Sequence, residues 1–342
     1  MHDDEVLILK GGEILSLLEG QERELIDIVA RAYMAHGQGA SSLPHSLFLR
    51  FPDDERNRII ALPAFLGDDF GVAGVKWVSS FPGNLARGMD RASAVVIMNS
   101  AETGRPDSII EGSIISAKRT AASAALAARH LHPADDDGPV GLVGTGLINF
   151  EVVRMLLAAR PEARTFLVHD LDPARAAQFK YKCVEAFDRV EVCVERDLGT
   201  VLRRCALVSF ATTAAKPYVA DLSSSPEVAT ILHVSLRDLS PEAILASDNI
   251  ADDVDHVCRA GTSLHLAEQL VGHRRFVRCT LADILRGDAP ARANARGRVI
   301  FSPFGLGVLD LAVGQHVRTL ARTRGIGTSI GGFLPAPWAE RL

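Results

Sequence analysis

Gly144-Thr145-Gly146 closes the apolar run Val140 to Val143 and opens a helical pattern, Ile148 to Leu157, in the middle of a 342-residue chain. A strand that turns on glycine straight into a helix is a βα unit. Its first glycine permits the tight bend, its second lets backbone N–H groups approach an anion, and that anion lies at the positive end of the helix. Asn149 stands where the pattern has a third small residue, so the glycines alone are an incomplete fingerprint. A second signal supports them. The next strand, Thr165 to His169, runs into Asp170, 24 residues past Gly146 and near the spacing of the acid that holds a ribose diol. A carboxylate there selects NAD over NADP, whose 2′-phosphate would meet negative charge. Asp172 competes for that role, and a plain capping turn with a surface aspartate is the alternative.

From Gly141 onward strands alternate with helices: Gly141 to Gly144, Thr165 to His169, Val190 to Val194, Leu207 to Ala211, Thr230 to Ser235 and Asn249 to Ala251. Alternation of this kind predicts a Rossmann-type, doubly wound parallel sheet in an α/β fold. Earlier, residues 12 to 36 read as one helix, while Arg58 to Phe65, Val72 to Ser79 and Ala94 to Met98 read as strands of a mainly antiparallel first domain. An Ala-rich helix, Ser116 to Leu131, leads to the acidic turn Asp135 to Gly138. After Val299-Ile300-Phe301 come a helix, Val308 to Arg322, and a glycine-rich tail, Gly325 to Phe333, expected to rejoin the first domain. The expected division is 1–122 with 305–342 as a mixed α+β substrate-binding and dimerisation domain, and 123–304 as the inserted dinucleotide domain.

Composition narrows the partners. A formal charge of −5 with scattered Arg and Lys gives no basic stripe for nucleic acid or a membrane surface, so a small molecule is the expected ligand. Five cysteines without a C-x-x-C pair suggest neither a disulfide framework nor a zinc site, and read as small buried hydrophobes in a reducing cytoplasm. The acidic start, Met1 to Glu5, lacks the positive charge of a secretory signal, and the longest apolar stretch is too short to span a bilayer.

Three positions stand out chemically. Lys76 lies in an apolar strand just before the turn Pro82-Gly83-Asn84, as a snorkelling residue, a carboxylate anchor or a proton donor. Arg119-Thr120 begins the Ala-rich helix, where guanidinium, hydroxyl and helix dipole suit an anion. Asp238 follows the strand ending at Ser235, at the carboxyl end where α/β ligands bind, though an N-cap for the helix at Pro241 explains it equally.

Taken together, the Lys76 strand, Ser116-Ala117-Lys118-Arg119-Thr120-Ala121-Ala122, the mid-chain Gly144-Thr145-Gly146 and the late Asp238 resemble the ornithine cyclodeaminase/mu-crystallin family over nearly the whole chain. The resemblance implies a dinucleotide domain inserted into a mixed domain that dimerises through its sheet. It implies that Lys76 and Arg119 bind the substrate α-carboxylate, that Asp238 serves acid-base chemistry and that Thr120 meets the diphosphate. The cofactor set becomes Thr120, Gly144, Thr145, Gly146, Leu147, Ile148, Asp170, Ala211 and Thr212, with no metal.

Where ornithine cyclodeaminases place a glutamate for the distal amine, this chain offers Ile60 in Arg58-Ile59-Ile60-Ala61-Leu62-Pro63, which argues against ornithine. The runs at 76–84, 111–122 and 144–150 resemble the branch that makes 2,3-diaminopropionate for siderophores and peptide natural products. That likeness implies NAD-dependent oxidation of N-[(2S)-2-amino-2-carboxyethyl]-L-glutamate, with hydrolysis to L-2,3-diaminopropionate and 2-oxoglutarate. Three carboxylates need further cations, of which Arg50 is the first choice and Arg91 and Arg237 the others. The alternatives are an alanine dehydrogenase or ketimine reductase, an ornithine cyclodeaminase, and a non-catalytic ligand-binding protein. A cytoplasmic homodimer is expected.

Overall fold

The computed structural model describes residues 5–341; Met1 to Asp4, most of the acidic start, and Leu342 lie outside the described residues, as does the side chain of Glu55. The chain divides into two compact units. One comprises the residues up to Gln21, Ala35–Arg119 and Leu306 onward; the other comprises Glu22–Met34 and Thr120–Gly305.

The first unit opens with β1 (Glu5–Leu9) and α1 (Gly11–Leu17). The single helix expected over 12 to 36 is in fact two, because Gly20 takes a left-handed φ of +70° that ends the first before α2 (Glu22–Gly37) begins. β2 (Ser41–Ser42), β3 (Leu47–Phe51), β4 (Asp54–Leu66), β5 (Val72–Ser80), β6 (Ala92–Ser100) and β7 (Pro106–Glu111) follow. They form a sheet in which β4, β5, β6 and β7 pair antiparallel in sequence and β1 joins β7 in parallel. The register sets Leu62, Lys76 and Val96 side by side. Since strand side chains alternate between faces, Leu62, Ala64, Val96 and Met98 share the buried face with Lys76, while Trp77 and Phe65 project from the other and are exposed.

α3 (Ser113–Leu131) contains the boundary between the units, at Arg119/Thr120. In the second unit, β8 (Val140–Val143), α4 (Leu147–Ala159), β9 (Thr165–His169), α5 (Pro173–Ala186), β10 (Glu191–Val194), α6 (Leu198–Arg204), β11 (Leu207–Phe210) and β12 (Thr230–His233) make the alternation. α7 (Pro241–Leu245), β13 (Asp248–Ala251), α8 (Val254–Val257), α9 (Ser263–Val271), β14 (Val277–Thr280), α10 (Leu281–Arg286) and β15 (Val299–Ser302) complete it. Every pairing is parallel, in the order β10-β9-β8-β11-β12-β15-β13-β14. With right-handed crossovers, the reversal of strand order between β8 and β11 sends the connections to opposite faces, which is the doubly wound arrangement, and opens a crevice at the carboxyl ends. β12 stops at His233, two residues short of the sequence expectation, because Leu236 turns through a φ of +67°.

The chain then returns to the first unit. α11 (Gly307–Arg324) packs on β4, β5 and β6, burying Val308, Leu311 and Val313, and β16 (Thr328–Gly331) from the glycine-rich tail pairs antiparallel with β1. Among the described residues no helix is long and apolar enough to cross a membrane.

Candidate active site

Lys76, Arg119 and Asp310 meet in the interior of the first unit, one each from β5, α3 and α11. Asp310 Oδ2 lies 2.6 Å from Lys76 Nζ and Oδ1 lies 3.1 Å from Arg119 Nε. All three are buried, Asp310 completely. Lys76 Nζ also donates to Ser116 Oγ at 3.2 Å, which leaves one ammonium proton without a partner. Arg119 uses only Nε, and its two terminal nitrogens have no hydrogen-bond partner among the described residues. Two cations against one carboxylate leave one buried positive charge, which is the complement of a carboxylate ligand. Burial, with the Arg119 charge beside it, lowers the Lys76 ammonium to about 8 against the opposing pull of Asp310. Lys76 is thus no snorkelling residue. Sequence reading missed Asp310 although it left a signal, since an acid inside Val308-Leu309-Asp310-Leu311-Ala312-Val313 must be buried and therefore paired.

The further cations divide between the units, Arg50 and Arg91 in the first and Arg237 in the second. Arg50 is exposed on β3, over the Phe48 ring. Arg91 is half-buried and donates to Ser80 Oγ at 2.8 Å. Arg237 belongs to the second unit and holds the Ala260 carbonyl.

In the second unit the glycine turn has the geometry of an anion cradle. Gly144 has φ +88°, and a Cβ there would sit 2.5 Å from the Ala211 carbonyl oxygen, so only glycine fits beside β11. A Cβ on Gly146 would meet nothing within 4 Å, which leaves space over the start of α4. No side chain caps that 13-residue helix, so the first amides, of Leu147 and Ile148, lie at an uncapped positive end. Asn149 braces the turn: its Nδ2 donates to the carbonyls of Val143 and Gly144, and its Oδ1 accepts from Ser209 Oγ. This bracing accounts for the missing third glycine.

Asp170 Oδ2 accepts from the Thr145 amide at 2.8 Å and from its hydroxyl at 2.6 Å, and Oδ1 accepts from the Asp172 amide. Burial would raise its carboxyl, but these bonds hold it below the ordinary range, so it is ionised. Asp172 is the N-cap of α5, taking the amides of Ala174 and Arg175. Asp172 thus caps a helix, while the Asp170 carboxylate lies at the glycine turn. Thr120 is half-buried within α3. Ala211 donates its amide to Val143 across the switch point.

Thr212 belongs to another network. Its hydroxyl donates to Asp238, as does that of Ser235, and Tyr218 OH donates at 3.0 Å. His233 Nε2 lies 3.4 Å from the same carboxylate. Asp238 is completely buried and is not a cap, since Ser240 caps α7. Burial pushes its carboxyl up, but His233, Ser235 and Thr212 outweigh that and hold it down. Burial and the neighbouring Asp238 charge push the Tyr218 phenol far up, so it stays protonated, and Tyr218 is 47% exposed. Nothing in the sequence around Tyr218 marked it out, because the contact spans 20 residues that include all of β12 and the turns on either side of it.

All five cysteines are free, and burial pushes Cys183 and Cys205 up to about 12, which disfavours their thiolates. Among the described residues no cluster of potential ligands suits a metal.

Comparison with known proteins agrees with this architecture. The model of the ornithine cyclodeaminase/mu-crystallin family matches residues 13–324. N-((2S)-2-amino-2-carboxyethyl)-L-glutamate dehydrogenase of Staphylococcus aureus is 25% identical over 95% of this chain and 98% of its own length. Among solved structures, CmnK superposes with a TM-score of 0.88 at 27% identity, covering 97% of this chain and 100% of its own. An archaeal alanine dehydrogenase dimer with bound NAD reaches 0.85 at 25% identity, covering 96% and 100%. With its inserted parallel sheet, glycine cradle and end-to-end match, the chain belongs to the ornithine cyclodeaminase/mu-crystallin family.

Proposed function

We propose that this protein oxidises N-[(2S)-2-amino-2-carboxyethyl]-L-glutamate with NAD⁺ and releases L-2,3-diaminopropionate and 2-oxoglutarate. The observation that carries an amino-acid substrate is the buried Lys76–Asp310–Arg119 cluster, with one positive charge in excess and an Arg119 fork without a partner. The choice of conjugate is supported by the Staphylococcus aureus relative that bears this activity. An ionised Asp170 beside the Gly144 turn supports NAD over NADP, since it would repel a 2′-phosphate. Thr120, Gly144, Thr145, Gly146, Leu147 and Ile148 would hold the diphosphate, Asp170 the ribose, and Ala211 and Thr212 the remainder. NAD⁺ supplies the hydride acceptor.

In this reading Arg119 and Lys76 hold the glutamyl α-carboxylate and thereby fix the orientation of the Cα–H bond. Arg50 takes a further carboxylate. Loss of hydride from Cα leaves a C=N bond that water hydrolyses, so one proton must leave the amine and others must move as the carbinolamine collapses. Asp238 is the acid-base group, and because its carboxylate is sealed, protons reach it through the hydroxyls that contact it. Tyr218, protonated and partly exposed, is the relay: it passes a proton to Asp238 as it accepts one. We propose also that the protein is a homodimer formed through the exposed face of the first unit's sheet, where Phe65 and Trp77 stand in water. The solved archaeal relative is a dimer.

The test is to mix purified protein, NAD⁺ and the conjugate, follow NADH absorbance, and identify both products by mass spectrometry. Stoichiometric NADH, 2-oxoglutarate and diaminopropionate are expected. Activity with pyruvate, ammonia and NADH in its place would transfer the assignment to an alanine dehydrogenase.

A further inference from the structure

Three arginines gather at one end of the first unit's sheet. Arg50 on β3 is the register partner of Arg58 on β4, Arg58 is the partner of Ser80 on β5, and Ser80 accepts from Arg91 at 2.8 Å. None of the three has an ion pair among the described residues. Burial disfavours the Arg58 charge and Arg50 disfavours it further; burial and then Arg58 do the same to Arg91. Half-buried like charges that repel one another and lack a counter-ion are relieved by an anion.

The cluster also has a direction. Lys76, Val78 and Ser80 alternate onto one face of β5, so Ser80 and its partner Arg58 share the face of Lys76. Four residues along a strand span roughly 13 Å, with Ile60, Val78 and Ala94 between, none of them charged. That is an apolar floor with cations at both ends, on a length scale that suits an extended five-carbon dicarboxylate and the side chains that grip it. We propose that Arg58 and Arg91, flanked by Arg50, form a second anion site that receives the distal carboxylate of a dicarboxylic amino-acid substrate. The proposal rests on the reading of Lys76 and Arg119 as the α-carboxylate clamp, and it makes Arg58 and Arg91 the residues that distinguish a glutamyl chain from an alanyl one.

The probes are 2-oxoglutarate and 2-oxobutyrate, which share the 2-oxo acid head and differ in the distal carboxylate. Calorimetry on the full chain should show 2-oxoglutarate binding roughly ten-fold or more tightly. In Arg58→Gln/Arg91→Gln that ratio should fall close to one, and in Arg58→Lys/Arg91→Lys part of it should return. Binding of NADH by each variant verifies that the second unit is folded, and circular dichroism with a cooperative thermal transition verifies the first. A wild type without preference for 2-oxoglutarate, or a preference that survives in the Gln variant, overturns the proposal. Failure of the conjugate to yield NADH, alongside an arginine-dependent preference for 2-oxoglutarate, would instead remove the substrate assignment and leave the anion site standing.

Discussion

At the residue scale the buried Asp310 organises the first unit's chemistry. It neutralises one of two interior cations and holds both in place, so Asp310→Asn leaves two like charges facing each other without compensation. Loss of one partner in a buried ion pair costs about 3 kcal/mol or more. A lower urea midpoint at unchanged slope is therefore expected for this variant; an unaltered midpoint would show that Asp310 does not hold the pair. Lys76 makes a pH prediction whose sign follows from its depressed ammonium. Below about 8 Lys76 is protonated and attracts a carboxylate; above about 8 it loses its charge, so KM for a carboxylate substrate should rise as pH increases through that value. A KM flat from pH 7 to 9 would remove Lys76 from binding. Tyr218→Phe deletes the relay hydroxyl and leaves Asp238 its contacts with Thr212 and Ser235. A kcat lower by roughly ten- to a hundred-fold with little change in KM is expected, within the range of general acid-base contributions. A fall in affinity with kcat intact would make Tyr218 a binding residue.

At the element scale the decisive piece is the turn from β8 into α4. The spacing of its glycines was legible because the need for φ +88° and for close approach to the Ala211 carbonyl is a local demand that only glycine meets. Gly144→Ala should destabilise the second unit by about 1–3 kcal/mol and weaken NAD⁺ binding, as measured by thermal shift and cofactor titration. Asn149 was legible only as a departure from a pattern. Its partners, the Val143 and Gly144 carbonyls and Ser209 Oγ, come from the preceding turn and from β11, and a side chain that braces two strands leaves no periodic mark. The break between α1 and α2 was missed for the opposite reason. Apolar spacing continues across Gly20, and one left-handed residue interrupts the helix without disturbing the hydrophobic pattern.

At the scale of the whole molecule, the exposed face carrying Phe65 and Trp77 sets the assembly prediction. Trp77→Glu places charge where the proposed interface is dry, and should convert a dimer to a monomer in sedimentation analysis; a persistent dimer would place the interface elsewhere.

The sequence by itself determined the alternation of strands and helices, the parallel sheet of the second unit and the glycine turn, since each rests on periodicity or on a backbone conformation confined to a few residues. It also made Lys76 unusual in its local setting, while Arg119 and Asp238 gained weight only in combination with it. The tertiary structure alone decided their partners. Asp310 is 234 residues from Lys76 along the chain, and Tyr218 is 20 from Asp238. The Arg50, Arg58 and Arg91 cluster exists only through strand register. A buried charge announces locally that it needs a counter-charge, but which residue provides it depends on how distant segments pack, and no local pattern encodes that choice.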